Sequence, residues 1–183
     1  NSYSNIVSSF FGSKFQRSIE EILVSPTPSG VIIAGFVTGS VLRGLLVGFL
    51  VSLLCLVFGK IHIANLFIIL VFLVLTSIVF ALAGLINGIF ARKFDDISII
   101  PTFVLTPLTY LSGVFYSIEL LPPFWQAISK LNPILYMVNG FRHGFLGFSD
   151  INIWFGLSML IVFTVILYVA NWILIEKGVG LRS

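Results

Sequence analysis

The sequence is 183 residues long, 58% hydrophobic and 9% charged, against ~25% charged residues in an ordinary soluble domain, which excludes water as the main solvent and leaves lipid. The net charge of +3 sits in loops, where it reports orientation in a membrane, and nothing else in the sequence supports a nucleic-acid partner. A single cysteine, Cys55, in an apolar run excludes an intrachain disulfide and a cysteine-based metal cluster.

From Asn1 to Ser13 the chain is uncharged and moderately apolar, without the charged n-region of a secretory signal. It reads as the tail of an earlier span. Lys14 to Leu23, KFQRSIEEIL, places Phe15, Ile19, Ile22 and Leu23 at i, i+4, i+7 and i+8, with Arg17 and Glu21 on the opposite flank. This predicts an amphipathic helix outside the bilayer core, either lying on the membrane surface or docking a cytoplasmic partner. Ser25-Pro26-Thr27-Pro28 ends it, because a residue before proline is pushed out of helical geometry.

Val31 to Phe58 carries one charge, Arg43, and is long enough at 1.5 Å per residue to cross a hydrocarbon core ~30 Å thick. A charge inside a span is costly, so Arg43 is expected to pair within the protein, to snorkel to the interface, or to contact a transported anionic group. Gly35, Gly39, Ser40, Gly44, Gly48 and Ser52 around it, and Gly84 with Gly88 later, recur at four-residue spacing that lets a second helix approach closely. A second span is expected over Leu66–Phe90, after a turn at Phe58-Gly59-Lys60. Arg92, Lys93, Asp95 and Asp96 then form the densest charge cluster, a short loop in water. Residues 97–118 are charge-free and of spanning length but hold Pro101 and Pro107, which predicts a kinked third span.

Between 119 and 149 the apolar residues fall into two pieces separated by Asn132-Pro133, a helix stop and restart. Leu121, Phe124, Trp125, Ile128 and Leu131 behind Pro122-Pro123 predict an interfacial amphipathic helix. Ile134 to Leu146 has the length of a re-entrant or interfacial segment, and Tyr116, Trp125 and Tyr136 suit an aromatic belt. Residues 151–175 form the last span, bounded by Asp150 and by Glu176 and Lys177. Four spans put both ends on one side. Lys14, Arg17, Arg92, Lys93, Lys177 and Arg182 lie there against Lys60, Lys130 and Arg142 opposite, so the positive-inside rule assigns the ends to the cytoplasm. The expected fold is all-α, a polytopic transmembrane helical bundle.

Enzyme chemistry finds little support. His62 and His143 are isolated, neither HExxH nor GxSxG occurs, and no Gly-rich phosphate loop precedes a Lys. The spans hold no acidic residue of the kind that couples ions in secondary transporters. A membrane-embedded enzyme acting on lipid or glycan, and a channel or scaffold without an ATPase, stand as the rival readings.

The pieces FQRSIEEILVSPTPSG, FARKFDD and LSGVFYSIELLPPFWQAISKLNPILYMVNGFRHGFLG resemble the permease subunits of ABC-2 type exporters, and within them the YadH-like bacterial inner-membrane permeases. The third piece is the most specific, with Ser112 to Tyr116, Leu121-Pro122, Leu131-Asn132-Pro133 and Arg142 in the family's order. The resemblance implies six spans, of which this chain holds the last four, in a homodimer on two copies of a separate ATP-binding cassette subunit. ATP would bind that partner, and no cofactor this chain. It further implies that Lys14 to Leu23 is a coupling helix, through Phe15, Arg17, Ile19, Glu20, Glu21 and Leu23, with Arg92, Asp95 and Asp96 as a second contact. Arg43, Tyr110, Gly113, Phe115, Pro122, Trp125, Asn132, Pro133, Tyr136 and Arg142 would line or gate a pathway that the two short helices close on the periplasmic side. The cargo would be hydrophobic, amphipathic or polymeric.

Overall fold

The structure, a computed structural model, describes residues 1–16, 18–58, 63–115 and 120–180, without the side chains of Glu20, Ile22, Leu23 and residues 55–58. The expectations for Arg17, Lys60, His62, Tyr116 and Arg182, and for the side chains of Glu20, Ile22 and Leu23, lie outside the described residues. Helices in chain order are α1 (Ser2–Phe15), α2 (Ser18–Val24), α3 (Ser29–Phe58), α4 (Leu66–Phe90), α5 (Phe94–Ile100), a π-helical turn (Pro101–Leu105), α6 (Thr106–Tyr110), α7 (Pro123–Lys130), α8 (Pro133–Leu146) and α9 (Ile153–Glu176). No strand occurs among the described residues.

Among those residues three helices, α3, α4 and α9, are long and apolar enough to cross a membrane. They leave large apolar side chains such as Leu46, Phe67 and Val165 exposed, a surface that lipid covers and water does not. An α-helix satisfies its own backbone donors and acceptors away from its ends, as the hydrocarbon requires. The observed bounds follow the local chemistry. α3 begins just after Pro28, whose carbonyl accepts the amide of Val31 at 2.9 Å, and α9 is opened by the Asn152 side chain, which accepts the amide of Trp154 at 2.9 Å.

Where a kinked third span is expected over 97–118, one helical run of three consecutive pieces of 7, 5 and 5 residues begins at Phe94 and stops at Tyr110. Pro107 has no N–H to return to the preceding turn, and the chain answers by widening. The amide of Thr106 bonds to the carbonyl of Pro101, and the Thr106 hydroxyl donates to the same oxygen at 3.0 Å. At 1.5 Å per residue the pieces reach about 25 Å. The single helix expected over Lys14–Leu23 is likewise divided, with Lys14 and Phe15 closing α1 and α2 starting at Ser18.

The chain forms two compact units. In the first (Asn1–Phe49, Ser77–Ser98, Thr164–Ser183), α1 lies against α4. Ile6, Val7 and Phe10 are completely buried, and glycine on α4 makes this possible. A Cβ on Gly84 would fall 2.6 Å from Ile6 Cγ2 and 2.9 Å from the Tyr3 carbonyl oxygen, and one on Gly88 would fall 3.2 Å from Phe10 Cδ1. On α3, a Cβ on Gly44 would clash with the Ser2 hydroxyl and fall 3.0 Å from that of Ser77, whereas Gly35 and Gly39 face open space. Phe10 meets Phe36 edge-on, with centroids 5.1 Å apart, and Ser40 donates its hydroxyl proton to the Ser2 carbonyl. Asn171 of α9 donates to the Leu82 carbonyl at 3.0 Å.

In the second unit (Leu50–Thr76, Ile99–Phe163), α8 is the buried element. Gly140 and Gly144 sit on Phe72 and Ile69, and the amides of Ala64 and Asn65 both donate to the Gly144 carbonyl, at 3.1 and 2.9 Å. The Tyr136 ring packs against Phe155 with centroids 5.9 Å apart. α7 by contrast keeps Phe124 and Trp125 exposed, as an interfacial helix would.

Gly84→Ala should therefore destabilise the protein by about 1–3 kcal/mol, because the obstructing Tyr3 oxygen is backbone and the added methyl overpacks a filled contact. Gly35→Ala, with nothing within 4 Å, should be neutral or stabilising by up to ~1 kcal/mol through helix propensity. Thermal unfolding of both variants in detergent measures the contrast.

Candidate functional site

In the first unit the elements that the sequence spaces far apart meet at one end of α4. The Lys14 ammonium donates to the carbonyls of Ile89 at 2.9 Å and Ala91 at 3.0 Å, a cation on the orphan carbonyls of a helix C-terminus. Burial, and secondarily the nearby Arg92 charge, push the Lys14 pKa below its ordinary value. With α1 fixed there, Phe11 and Phe15 reach the Phe94 ring, with centroids 4.9 and 5.5 Å away. Phe15 is 69% and Phe94 64% exposed, so the pair is an uncovered aromatic patch. Glu21, Arg92, Lys93 and Asp95 are exposed with it.

Ile19 is 1% exposed, which places it in the interior of this chain and removes it from any docking stripe; its role is to hold α2 in place. Asp96 sits at the third position of α5, and its carboxylate accepts the amides of Arg92 at 2.9 Å and Lys93 at 3.0 Å, reaching back as the acid of a capping box does. Those two bonds hold its pKa below the usual carboxylate range. Sequence reasoning included both residues in the expected contacts, Lys14–Leu23 and Arg92–Asp96, but did not single out the Phe94 ring or the anchoring role of Lys14. The only signal for Phe94 is an aromatic residue inside a charge cluster, and Lys14 was absorbed into a helix that it does not belong to.

In the second unit four of the expected pathway residues make polar contacts at or beside α8. Asn132, 2% exposed, caps α8 by accepting the Ile134 amide at 3.0 Å and donates to the Leu108 carbonyl of α6 at 2.6 Å. Tyr136 donates its hydroxyl proton to the Lys130 carbonyl at 2.5 Å. Arg142 pairs with Asp150 at 2.6 Å and donates to the Gly113 carbonyl at 2.7 Å. Gly113 is there because its φ of +74° is a conformation that side chains disfavour. Asn139 accepts the Asp150 amide at 2.9 Å. Pro133 opens α8, with no N–H to leave unpaired. Tyr110 and Phe115 stay exposed, their rings 5.9 Å apart, and Pro122 and Trp125 lie exposed at the start of α7. Sequence reasoning passed over Asn139 and took Asp150 only as a span boundary.

Arg43 is in the first unit, exposed, and donates to the Asn5 side-chain oxygen of α1 at 2.7 Å.

Residues 1–146 match the ABC-2 type transporter family. The chain belongs to that family. It is 57% identical over 183 residues, all of this chain and 72% of the relative, to the inner membrane transport permease YadH of Escherichia coli (strain K12). It is 23% identical over 175 residues, 96% of this chain and 68% of the relative, to nodulation protein J of Rhizobium leguminosarum bv. viciae. No solved structure matches. An ABC-2 type permease is a membrane component rather than an enzyme, and membership of the family implies an ATP-binding cassette partner in general.

Two measurements check the geometry of this ABC-2 permease. Because the folded pKa of Asp96 is depressed, the order it gives to the start of α5 is present above the unfolded value of about 3.9 and is lost as pH falls through the folded value. Hydrogen-exchange protection of the Arg92 and Lys93 amides should therefore fall only in acid, and Asp96→Asn should weaken that protection at neutral pH. Arg142→Ala should cost about 3 kcal/mol, since it removes the ion pair to Asp150 and the donor to the Gly113 carbonyl at partly buried positions. Asp150→Asn should cost less, because an amide can still accept from Arg142. Urea unfolding of the two variants compares them.

Proposed function

We propose that this chain is the transmembrane permease subunit of an ATP-driven exporter of the bacterial inner membrane, acting as a homodimer on two copies of a separate ATP-binding subunit. Family membership and 57% identity to a transport permease support the permease role. The observation that carries the coupling is the Phe15–Phe94 patch.

Two cytoplasmic elements distant in sequence present one aromatic surface, 5.5 Å between rings, ringed by Glu21, Arg92, Lys93 and Asp95. Exposed aromatics with a charged rim are what a partner's pocket can grip. Because Lys14 fastens this end of α1 to the carbonyls of α4, a push on the patch reaches a spanning helix without passing through a loose linker. ATP shifts the permease between states only through a contact that differs between them, and this patch supplies such a contact. In this reading the Phe15 end of α1 and the C-terminal end of the chain are cytoplasmic, the helical run from Ile97 to Tyr110 is a fourth, shortened crossing, and α7 and α8 close the pathway on the periplasmic side. The exposed face of α3, with Gly35, Gly39 and Leu42 uncovered, and the run through α5 and α6 line the dimer interface.

Phe94→Asp and Phe15→Asp, each in the full-length permease co-expressed with its ATPase, should lower permease-stimulated ATP hydrolysis at least tenfold and reduce co-purification, while Phe94→Leu keeps most of both. Intact co-purification and stimulated hydrolysis in both aspartate variants would count against the reading.

A further inference from the structure

α1 has two faces. Tyr3, Ile6, Val7, Phe10 and Phe11 are buried, while Asn1, Ser4, Asn5, Ser8 and Ser9, at i, i+3, i+4, i+7 and i+8, line a groove of about 320 Å³ whose remaining wall is Arg43 of α3. That volume is about ten times a water's share of the liquid. Arg43 lies midway along a 30-residue helix that is otherwise uncharged, where a guanidinium has no favourable place without a partner. Its protein partner is the neutral amide of Asn5. Among the described residues the one ion pair is Arg142 with Asp150, so the charge of Arg43 meets no carboxylate.

A planar fork with donors left over, facing a wall of hydroxyls and amides, matches a phosphate or carboxylate. One turn further along α3, Leu46 is 64% exposed, and Phe49 beyond it is equally exposed. Both are free to carry an apolar chain that hangs from such a head group. We propose that this groove binds the anionic head of an amphiphile, with a phosphate or carboxylate on Arg43, Ser4 and Ser8 and its acyl portion along Leu46 and Phe49. The site stands on α1 and α3 alone and does not depend on how the ATPase docks. Whether the amphiphile is cargo or a resident lipid, the recognition chemistry is the same.

The test uses the full-length permease in nanodiscs of phosphatidylcholine, titrated with fluorescent phosphatidic acid and, in a separate arm, with inorganic phosphate in competition. Wild-type protein should bind the labelled phosphatidic acid saturably. Arg43→Gln should weaken this roughly tenfold, and Arg43→Lys less, because the fork geometry is lost and the charge kept. Ser8→Asp, at an exposed position, should weaken it similarly by placing a carboxylate where the ligand's would sit. Millimolar phosphate should compete poorly, since it lacks the chain. Equal binding by wild type, Arg43→Gln and Ser8→Asp would overturn the proposal. Competition by free phosphate as strong as by unlabelled phosphatidic acid would overturn the amphiphile assignment. Where Arg43→Gln fails to fold, Ser8→Asp and Arg43→Lys decide. For cargo, phosphatidic acid stimulates ATP hydrolysis by the assembled complex; for a resident lipid it binds without doing so. Either result requires the binding that Arg43→Gln removes.

Discussion

The close approach of α1 to α4 sets the rest of the first unit. Gly84 and Gly88 have no side chain, so the apolar face of α1 comes within van der Waals range of the α4 backbone. In a lipid environment helices associate through such packing and not through exclusion of water. Three things follow from that one contact. The far end of α1 delivers the Lys14 ammonium to the carbonyls that end α4, Phe15 is carried to Phe94, and the polar face of the same helix is turned toward Arg43. The exposed patch and the polar groove are thus opposite consequences of how one fourteen-residue helix is seated.

The second unit answers a different constraint, the backbone groups that prolines and turns leave unpaired. α6 ends at Tyr110 and the chain turns through Gly113, so carbonyls at Leu108 and Gly113 lack helical donors. Asn132 and Arg142 supply them. This ties the short helices to the proline-broken run with charge-assisted and amide hydrogen bonds rather than with apolar contact alone.

Much of this was legible in the sequence. The apolar run ending at Phe90 has the bounds of α4, and the runs around Arg43 and after Asp150 differ from α3 and α9 by a residue or two. Asn132-Pro133 restarts a helix where the dipeptide says it should. Periodicity could not say what a face packs against. The alternation in NSYSNIVSSFF makes α1 amphipathic, but whether its polar side meets water, lipid or an arginine depends on Gly84 and on Arg43, 38 residues beyond Asn5. The same limit explains Ile19, which completes a plausible surface stripe and is nonetheless buried. Proline positions were visible, but not that two of them six residues apart would be absorbed by a π turn and shorten the helical run.

The register of α1 against the glycine face of α4 sets both the patch and the groove. A Cβ on Gly88 lies 3.4 Å from Phe10 Cβ, close to the spacing of a disulfide. Phe10→Cys with Gly88→Cys, in a full-length protein whose Cys55 is replaced by alanine, should close an intramolecular disulfide on mild oxidation. That product keeps the mass of the single chain and loses both maleimide-reactive thiols. Thiols that remain reactive, or a species of twice the mass, would contradict the packing on which the patch and the groove both depend.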